Sequence, residues 1–300
     1  MQEKDASLLW LPALLTDENF RHKITDKLAD DIVLKPFWKS FDAMRDTERK
    51  QEIAPVLNKM RQFLYRPGLR SVLGQSQPKF QLTDLFYKRK IVLVPLNKGV
   101  IGAESARLLG SLIVGMTWTL ALSRAGIPAE KRHIISMYID ELQDYLALPT
   151  DFNDALAQAR GLGVGITMAH QYRGQLPPDI RAGIDANARN KIVFGLNAGD
   201  AKEMAAMAPE LTALDFMMLP RYEIYTNFMV DGQATGWIRG VTLPPTRAIR
   251  NQSEIRAYSQ TTYGHPAESV DAEFRQRLKD TEETPPTDFD DSSLGRRKRR

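Results

Sequence analysis

The sequence predicts an α/β protein with a doubly wound, mainly parallel sheet and an all-α subdomain at its N-terminal end. Three observations predict it. From about residue 90 to 200, short apolar runs alternate with longer stretches of helical spacing. The runs are Ile91-Val-Leu-Val-Pro-Leu, His133-Ile-Ile-Ser-Met-Tyr-Ile, Val164-Gly-Ile-Thr-Met-Ala and Lys191-Ile-Val-Phe-Gly. Near-continuous apolar strands between helices belong to a parallel sheet covered on both faces. Residues 1 to about 80, by contrast, look helical, with Ile53, Val56, Leu57, Met60 and Leu64 at helical spacing.

The elements follow in order. Thr16-Asp-Glu-Asn-Phe-Arg suits a helix start, with acids in the first turn. Helical spacing covers 17–29, 36–50 and 52–65, and Pro67-Gly68 breaks it. Between the apolar runs, helices are expected at 102–125, 149–161, 177–188 and 198–207; right-handed crossovers then give the doubly wound topology. Residues 221–243 read as two short antiparallel strands around Asp231-Gly232. The expected organisation is an all-α subdomain over 1–85, the α/β core over 86–265, a terminal helix over 266–280 and a tail over 281–300. The tail is Glu, Thr, Pro, Asp and Ser followed by a basic run, a composition that buries no core and predicts disorder.

Composition excludes several classes. The 300 residues contain no cysteine, so a disulfide scaffold, cysteine-ligated zinc and a cysteine nucleophile are ruled out. Four scattered histidines, His22, His133, His170 and His265, leave little for a histidine-rich metal site. Net charge is 41 − 37 = +4, and the five basic residues 296–300 supply +5, leaving 4 − 5 = −1 for the body. Whole-chain charge therefore says little about nucleic acid. The basic tail has three readings: contact with DNA phosphates, contact with an anionic membrane surface, or a solvated terminus. Met1-Gln-Glu-Lys-Asp is charged and lacks a following apolar core, unlike a signal peptide. The longest uncharged stretch, 108–123, is shorter than the ~20 apolar residues of a membrane span and reads as a buried helix.

The sharpest chemical signal is Ile134-Ile-Ser-Met-Tyr-Ile-Asp140-Glu141, an apolar run ending in two acids. Ligands of open α/β sheets bind beyond the carboxyl ends of the strands. An acid there can hold Mg²⁺ against nucleotide phosphates, and its neighbour can orient and deprotonate the attacking water, the Walker B pattern with a catalytic glutamate. The plain alternative is that Asp140 and Glu141 cap the turn that follows. Thirty residues later, Val164-Gly-Ile-Thr-Met-Ala-His170-Gln171 ends a second strand in polar residues. Gln171 at that end can bond a γ-phosphate or the attacking water, or be an ordinary strand-end residue. His170 reads as a packed bystander. Arg160, nineteen residues after Glu141, suits a helix C-terminus or an arginine finger for a neighbouring subunit's nucleotide. Leu96-Asn-Lys98-Gly99-Val-Ile-Gly102 superficially resembles a phosphate loop but does not match G-x-x-x-x-G-K-S/T; no Walker A motif occurs in the sequence. A tight structural turn is the better reading.

Together with other pieces, these motifs resemble one family. The pieces are Phe20-Arg with Phe37-Trp38, Ala54-Pro-Val-Leu-Asn-Lys59-Met-Arg61, Leu96 to Gly102, Tyr138-Ile-Asp-Glu-Leu-Gln143, Ala157-Gln-Ala-Arg160 and Met168-Ala-His-Gln-Tyr172. Asn187, Gly199-Asp-Ala201, Leu219-Pro-Arg-Tyr222 and Tyr263-Gly264 complete the series. In order and spacing the chain resembles the C-terminal part of a type IV secretion or conjugative coupling ATPase, of the FtsK/HerA group of hexameric DNA-pumping P-loop motors. The resemblance implies a RecA-like core, with ATP and Mg²⁺ as cofactors. It implies Asp140 for Mg²⁺ and the nucleotide, Glu141 for the hydrolytic water, Gln171 as phosphate sensor and Arg160 as finger acting in trans. It also implies DNA, single- or double-stranded, a homo-oligomeric ring, and a secretion channel with relaxase-type proteins as partners. The location it implies is the cytoplasmic side, at the inner face of the cell membrane. The family's Walker A half and membrane anchor lie upstream of its matching part, so the chain is expected to be a truncated gene, a fragment or one part of a split motor.

Three functions follow. The leading expectation is a motor component that moves DNA towards a secretion channel. A HerA-type translocase serving DNA repair shares that chemistry, though the α-subdomain with Phe37-Trp38 favours the secretion type. The third is a non-catalytic module that binds ring partners or DNA without hydrolysis, which the missing Walker A supports.

Overall fold

The structure is a computed structural model and describes residues 6–146 and 152–282. The chain opens with helices α1 (Trp10–Thr16), α2 (Glu18–Thr25), α3 (Leu34–Ala43), α4 (Asp46–Leu64) and α5 (Pro67–Leu73). There follow α6 (Asp84–Tyr87), α7 (Lys98–Ile101), α8 (Ala103–Leu122), β1 (Ile135–Ile139), α9 (Phe152–Ala159), β2 (Val164–Met168) and α10 (Pro178–Asn187). Then come β3 (Lys191–Val193), α11 (Ala198–Ala206), α12 (Ala213–Met217), β4 (Glu223–Asn227), β5 (Met229–Val230), β6 (Gln233–Ala234) and β7 (Ile238–Val241). Helices α13 (Gln252–Tyr263) and α14 (Ala267–Glu282) close the described chain. Contacts divide it into two compact units, one from the stretches up to Lys79 and from Gln252, the other Phe80–Asn251.

The first unit is helical because its apolar residues recur on single helix faces. Asp17 caps α2 by accepting from the Phe20 amide at 3.0 Å. Trp10, Phe20, Ile24 and Val270 form one core cluster, with Phe274 packed against it. Arg21 is buried beneath it, donating from Nε to Asp42 Oδ1 at 2.7 Å and lying over the Phe41 ring at 5.1 Å. Arg70 forks onto Asp271, Nε to Oδ1 at 2.8 Å and Nη2 to Oδ2 at 2.6 Å, tying α5 to α14. Pro67 ends one helical run and, needing no amide donor, starts the next. Boundaries are expected from the sequence after 85 and after 265; contacts divide the chain after Lys79 and before Gln252, because α14 completes the helical core. The tail expected from 281 lies, beyond Glu282, outside the described residues.

The second unit carries the sheets. Helix α8 contains the uncharged stretch, and its Ser105, Ala106, Gly110, Ser111, Trp118 and Ala121 are buried, as a core helix requires. The stretch Ala103–Gly126 is long and apolar enough to cross a membrane by length and composition alone. Strands β1 and β2 pair in parallel, from Ile135↔Val164 to Ile139↔Met168. The period of two then separates their faces. Met137, Ile139, Val164, Ile166 and Met168 point into the cores formed with α8, α9 and α10, whereas Ser136, Tyr138, Gly165 and Thr167 lie exposed on the other face. The sheet was expected to be covered on both faces; among the described residues one face is covered.

Two of the four expected strands behave differently. Residues 91–96 join no ladder among the described residues, and Ile91 is 90% exposed. Pro95 removes one of the donors a ladder needs. Strand β3 pairs antiparallel with β4 through Ile192↔Thr226, and β4 with β7. Asp231 and Gly232 both take positive φ, 49° and 82°, as the two-residue turn between β5 and β6 demands. Behind the β3–β4–β7 sheet, Phe216 is fully buried, edge-on to Tyr225 at 5.4 Å and to Trp237 at 5.6 Å. Phe216→Ala is expected to cost about 3–5 kcal/mol of stability, read by denaturant unfolding followed through Trp237 fluorescence; an unchanged midpoint would show that this ring does not hold the sheet.

Candidate active site

Asp140 and Glu141 follow directly on β1, and Gln171 stands three residues beyond β2. Parallel register brings those carboxyl ends side by side. The two strand ends are then laced together: Ala169 N donates to Ile139 O at 2.9 Å and Leu142 N to Ala169 O at 3.0 Å. Leu142, 1% exposed, anchors the acidic turn in the cluster of Ile139, Phe152, Leu176 and Ile180. Gly110 lets the turn settle on α8, since a Cβ there would meet the Tyr145 ring at 2.2 Å.

Between the strand and the turn, Glu141 takes a left-handed backbone conformation, φ 53° and ψ 50°. A side chain there stores of order 1–3 kcal/mol, and such residues cluster at functional sites. Its carboxylate is doubly held. Oε1 accepts from Gln171 Nε2 at 2.7 Å, and Oε2 accepts from Gln143 Nε2. Asp140 is exposed, and its Oδ1 accepts from the Glu141 amide at 3.0 Å. Gln171 is steadied in turn: its backbone amide donates to Gln175 Oε1 at 3.2 Å. Among the site residues, Asp140, Glu141 and Gln171 thus come together. Sequence reasoning gave no role to Gln143, although its place two residues after the acid, in a tight turn, is the signal that could have found it.

His170, beside Gln171, is half-buried, and burial pushes its imidazole below the usual histidine range. A neutral, packed ring agrees with the bystander reading. Arg160 lies elsewhere. It follows α9, is exposed, and has no side-chain partner among the described residues; its carbonyl accepts from Gly163 N at 3.1 Å. Strand β2 begins four residues later. Arg160 therefore stands at the end of the sheet where β2 starts, a strand length of about 16 Å from the end that carries Gln171.

The residues present fit half of a nucleotide site. Two adjacent carboxylates and a glutamine amide suit a hydrated Mg²⁺ and a water. Among the described residues, no group of three or more His, Asp or Glu side chains is placed to hold a metal unaided. The phosphate-loop lookalike does not supply the other half. Asn97 Oδ1 accepts from Gly99 N at 2.9 Å, Asn97 O accepts from Val100 and Ile101 at 3.0 Å each, and Lys98 O accepts from Gly102 N at 3.0 Å. The amides of residues 99 to 102 are consumed internally. Lys98 is itself engaged by an ion pair with the buried Asp144, whose hydrogen bond holds the ammonium above its usual value. The turn is structural.

No protein-family model matches the chain, and no curated protein sequence matches it. Solved structures do. The plasmid coupling protein TrwB, in complex with ADP and Mg²⁺, is similar over 77% of this chain and 58% of its own, with 17% identity and a TM-score of 0.50. The bacterial conjugative coupling protein TrwBdeltaN70, in an unbound form, is similar over 50% of this chain and 40% of its own, at 18% identity and a TM-score of 0.41. The genome packaging NTPase B204 from Sulfolobus turreted icosahedral virus 2, in complex with AMPPCP, is similar over 55% and 73%, at 15% identity and a TM-score of 0.34. The chain spans about half the length of the coupling-protein chains it matches. At such identities the likeness is one of fold, and the fold is that of a RecA-like α/β core with an all-helical region, as found in a conjugative coupling protein.

Proposed function

We propose that this chain is the Walker B part of an ATP-driven motor of the coupling-protein type, which moves DNA towards a secretion channel. The observation that carries the reading is the Glu141–Gln171 contact of 2.7 Å at the carboxyl ends of two parallel strands. In this reading Asp140 would help to hold Mg²⁺, Glu141 would take the proton of the attacking water and Gln171 fixes the carboxylate towards it. Bound ATP would supply the phosphoanhydride whose hydrolysis drives movement. The phosphate cradle would come from a segment carrying a Walker A loop outside these 300 residues, and the exposed Tyr138 face of β1–β2 and the outer edges of that sheet, unpaired among the described residues, suit a further strand with its helix. The motor assembles as a homo-oligomeric, hexameric ring at the inner face of the cell membrane and works with relaxase-type partners. TrwB's solved complex with ADP and Mg²⁺ supports the choice of nucleotide and metal.

Purified by itself, the chain is expected to release no phosphate from Mg-ATP above background, because its sequence holds no Walker A motif to supply the lysine and amides of a phosphate loop. Co-expression with a segment bearing such a loop should restore DNA-stimulated hydrolysis. Turnover by the lone chain that survives repurification and vanishes in Glu141→Gln would overturn the need for a separate Walker A segment. A second reading, a ring-binding module without hydrolysis, is favoured by the consumed amides of residues 99 to 102; failure of every Walker A segment to restore turnover would select it.

A further inference from the structure

Two residues beyond Gln171, the loop that carries it is pinned by a buried cation. Arg173 is 9% exposed and opens the short 3₁₀ turn Arg173–Gln175. Its backbone amide donates to Asp200 Oδ2 at 3.0 Å. Its guanidinium forks onto Asp185, Nη1 to Oδ1 at 2.9 Å and Nη2 to Oδ2 at 2.5 Å, and Nε donates to Glu203 Oε2 at 2.7 Å. Arg181 Nη1 reaches the same Glu203 at 3.2 Å, which adds a second cation to the network. Asp185 and Arg181 stand on α10; Asp200 and Glu203 stand on α11. One side chain therefore fixes the loop to both helices, and Gln175 of the same turn accepts from the amides of Gln171 and Tyr172 at 3.2 Å each.

The placement is costly if stability were its purpose. A buried ion pair often breaks even against apolar residues of similar volume, while a planar fork gives direction. We infer that Arg173, held by Asp185 and Glu203, is a positioning residue that aims the Gln171 amide at Glu141 and transmits shifts of α10 or α11 to that contact. The inference gains its catalytic meaning from the motor reading above, but its geometry stands by itself. A shift of α10 moves the Asp185 fork and a shift of α11 moves Asp200 and Glu203, and the loop follows either because its amides are tied within the same turn.

The test uses the 300-residue chain labelled with ¹⁵N, with no nucleotide present. The Gln171 side-chain amide signal is assigned by its loss in Gln171→Leu. In the wild type, Glu141→Gln should shift that signal, since the carboxylate is its acceptor. In Asp185→Asn and Arg173→Lys backgrounds, that response should fall by at least half, while the Trp118 and Trp237 indole signals keep their positions. Arg239→Gln, which breaks the Arg239–Glu223 pair elsewhere in the same unit, should leave it whole. A response undiminished in both variants, even with a lowered melting temperature, would overturn the inference and leave Arg173 a clamp between helices. Loss of the native fold in both would overturn it as well. Because the readout involves no ATP, a failed motor reading leaves this result standing. In the completed motor, Asp185→Asn should lower kcat on the order of 10–100-fold with little change in KM, as small misplacements do.

Discussion

Glu141→Gln in the completed motor is expected to bind ATP nearly normally and to hydrolyse it on the order of 10²–10⁴ times more slowly. The substitution keeps the size of the side chain and one oxygen acceptor for the Gln171 amide, whose contact with Glu141 is 2.7 Å. What it removes is the base. The left-handed backbone at residue 141 is a further reason to choose glutamine, because φ 53° is retained only at a cost and a larger change would confound the result. Asp140→Asn should behave differently. Its carboxylate is exposed and, among the described residues, bonded only to the next amide, so its loss should weaken Mg²⁺-dependent binding rather than the chemical step. Single-turnover hydrolysis measured beside nucleotide binding separates the two. A normal rate for Glu141→Gln would remove the Walker B reading altogether.

How much of this was legible in the chain depends on the range of the interactions. The strands β1 and β2 and the helix α8 were readable because their apolar runs are long and their period is local. The neighbouring ends of those strands followed from a topological rule, and with them the meeting of residues 141 and 171. Strand direction in the second sheet was not readable. Lys191–Val193 is three residues long, and what decides its pairing is β4, more than thirty residues later. The run 91–96 has strand-like residues, yet a ladder needs a neighbour that no local pattern reveals. The Arg173 network was invisible for the same reason: its partners lie twelve and thirty residues away, on two helices with no shared period. Local signals identify the chemical groups, whereas the supports that hold them are set by tertiary packing.

Arg160→Ala gives the largest expected loss. An arginine finger contributes on the order of 10³–10⁵ in rate, whereas a cation capping a helix C-terminus contributes about 0.3–1 kcal/mol of stability. The structure sharpens the choice between these readings. Arg160 is exposed, its guanidinium has no partner among the described residues, and it stands at the opposite end of β2 from Gln171. A strand length of about 16 Å is too far for Arg160 to serve the Glu141 site of its own subunit. If the residue acts in hydrolysis, it acts on a neighbour. The completed ring should then lose hydrolysis with Arg160→Ala while keeping fold and nucleotide binding. Mixing Arg160→Ala subunits with Glu141→Gln subunits should recover part of the activity. Some interfaces would then draw Glu141 from one variant and Arg160 from the other, and those interfaces would be intact. Absence of recovery in rings shown by mass spectrometry to be mixed would exclude action in trans. Near-normal hydrolysis by Arg160→Ala alone, with only a small fall in melting temperature, would return this arginine to the end of its helix.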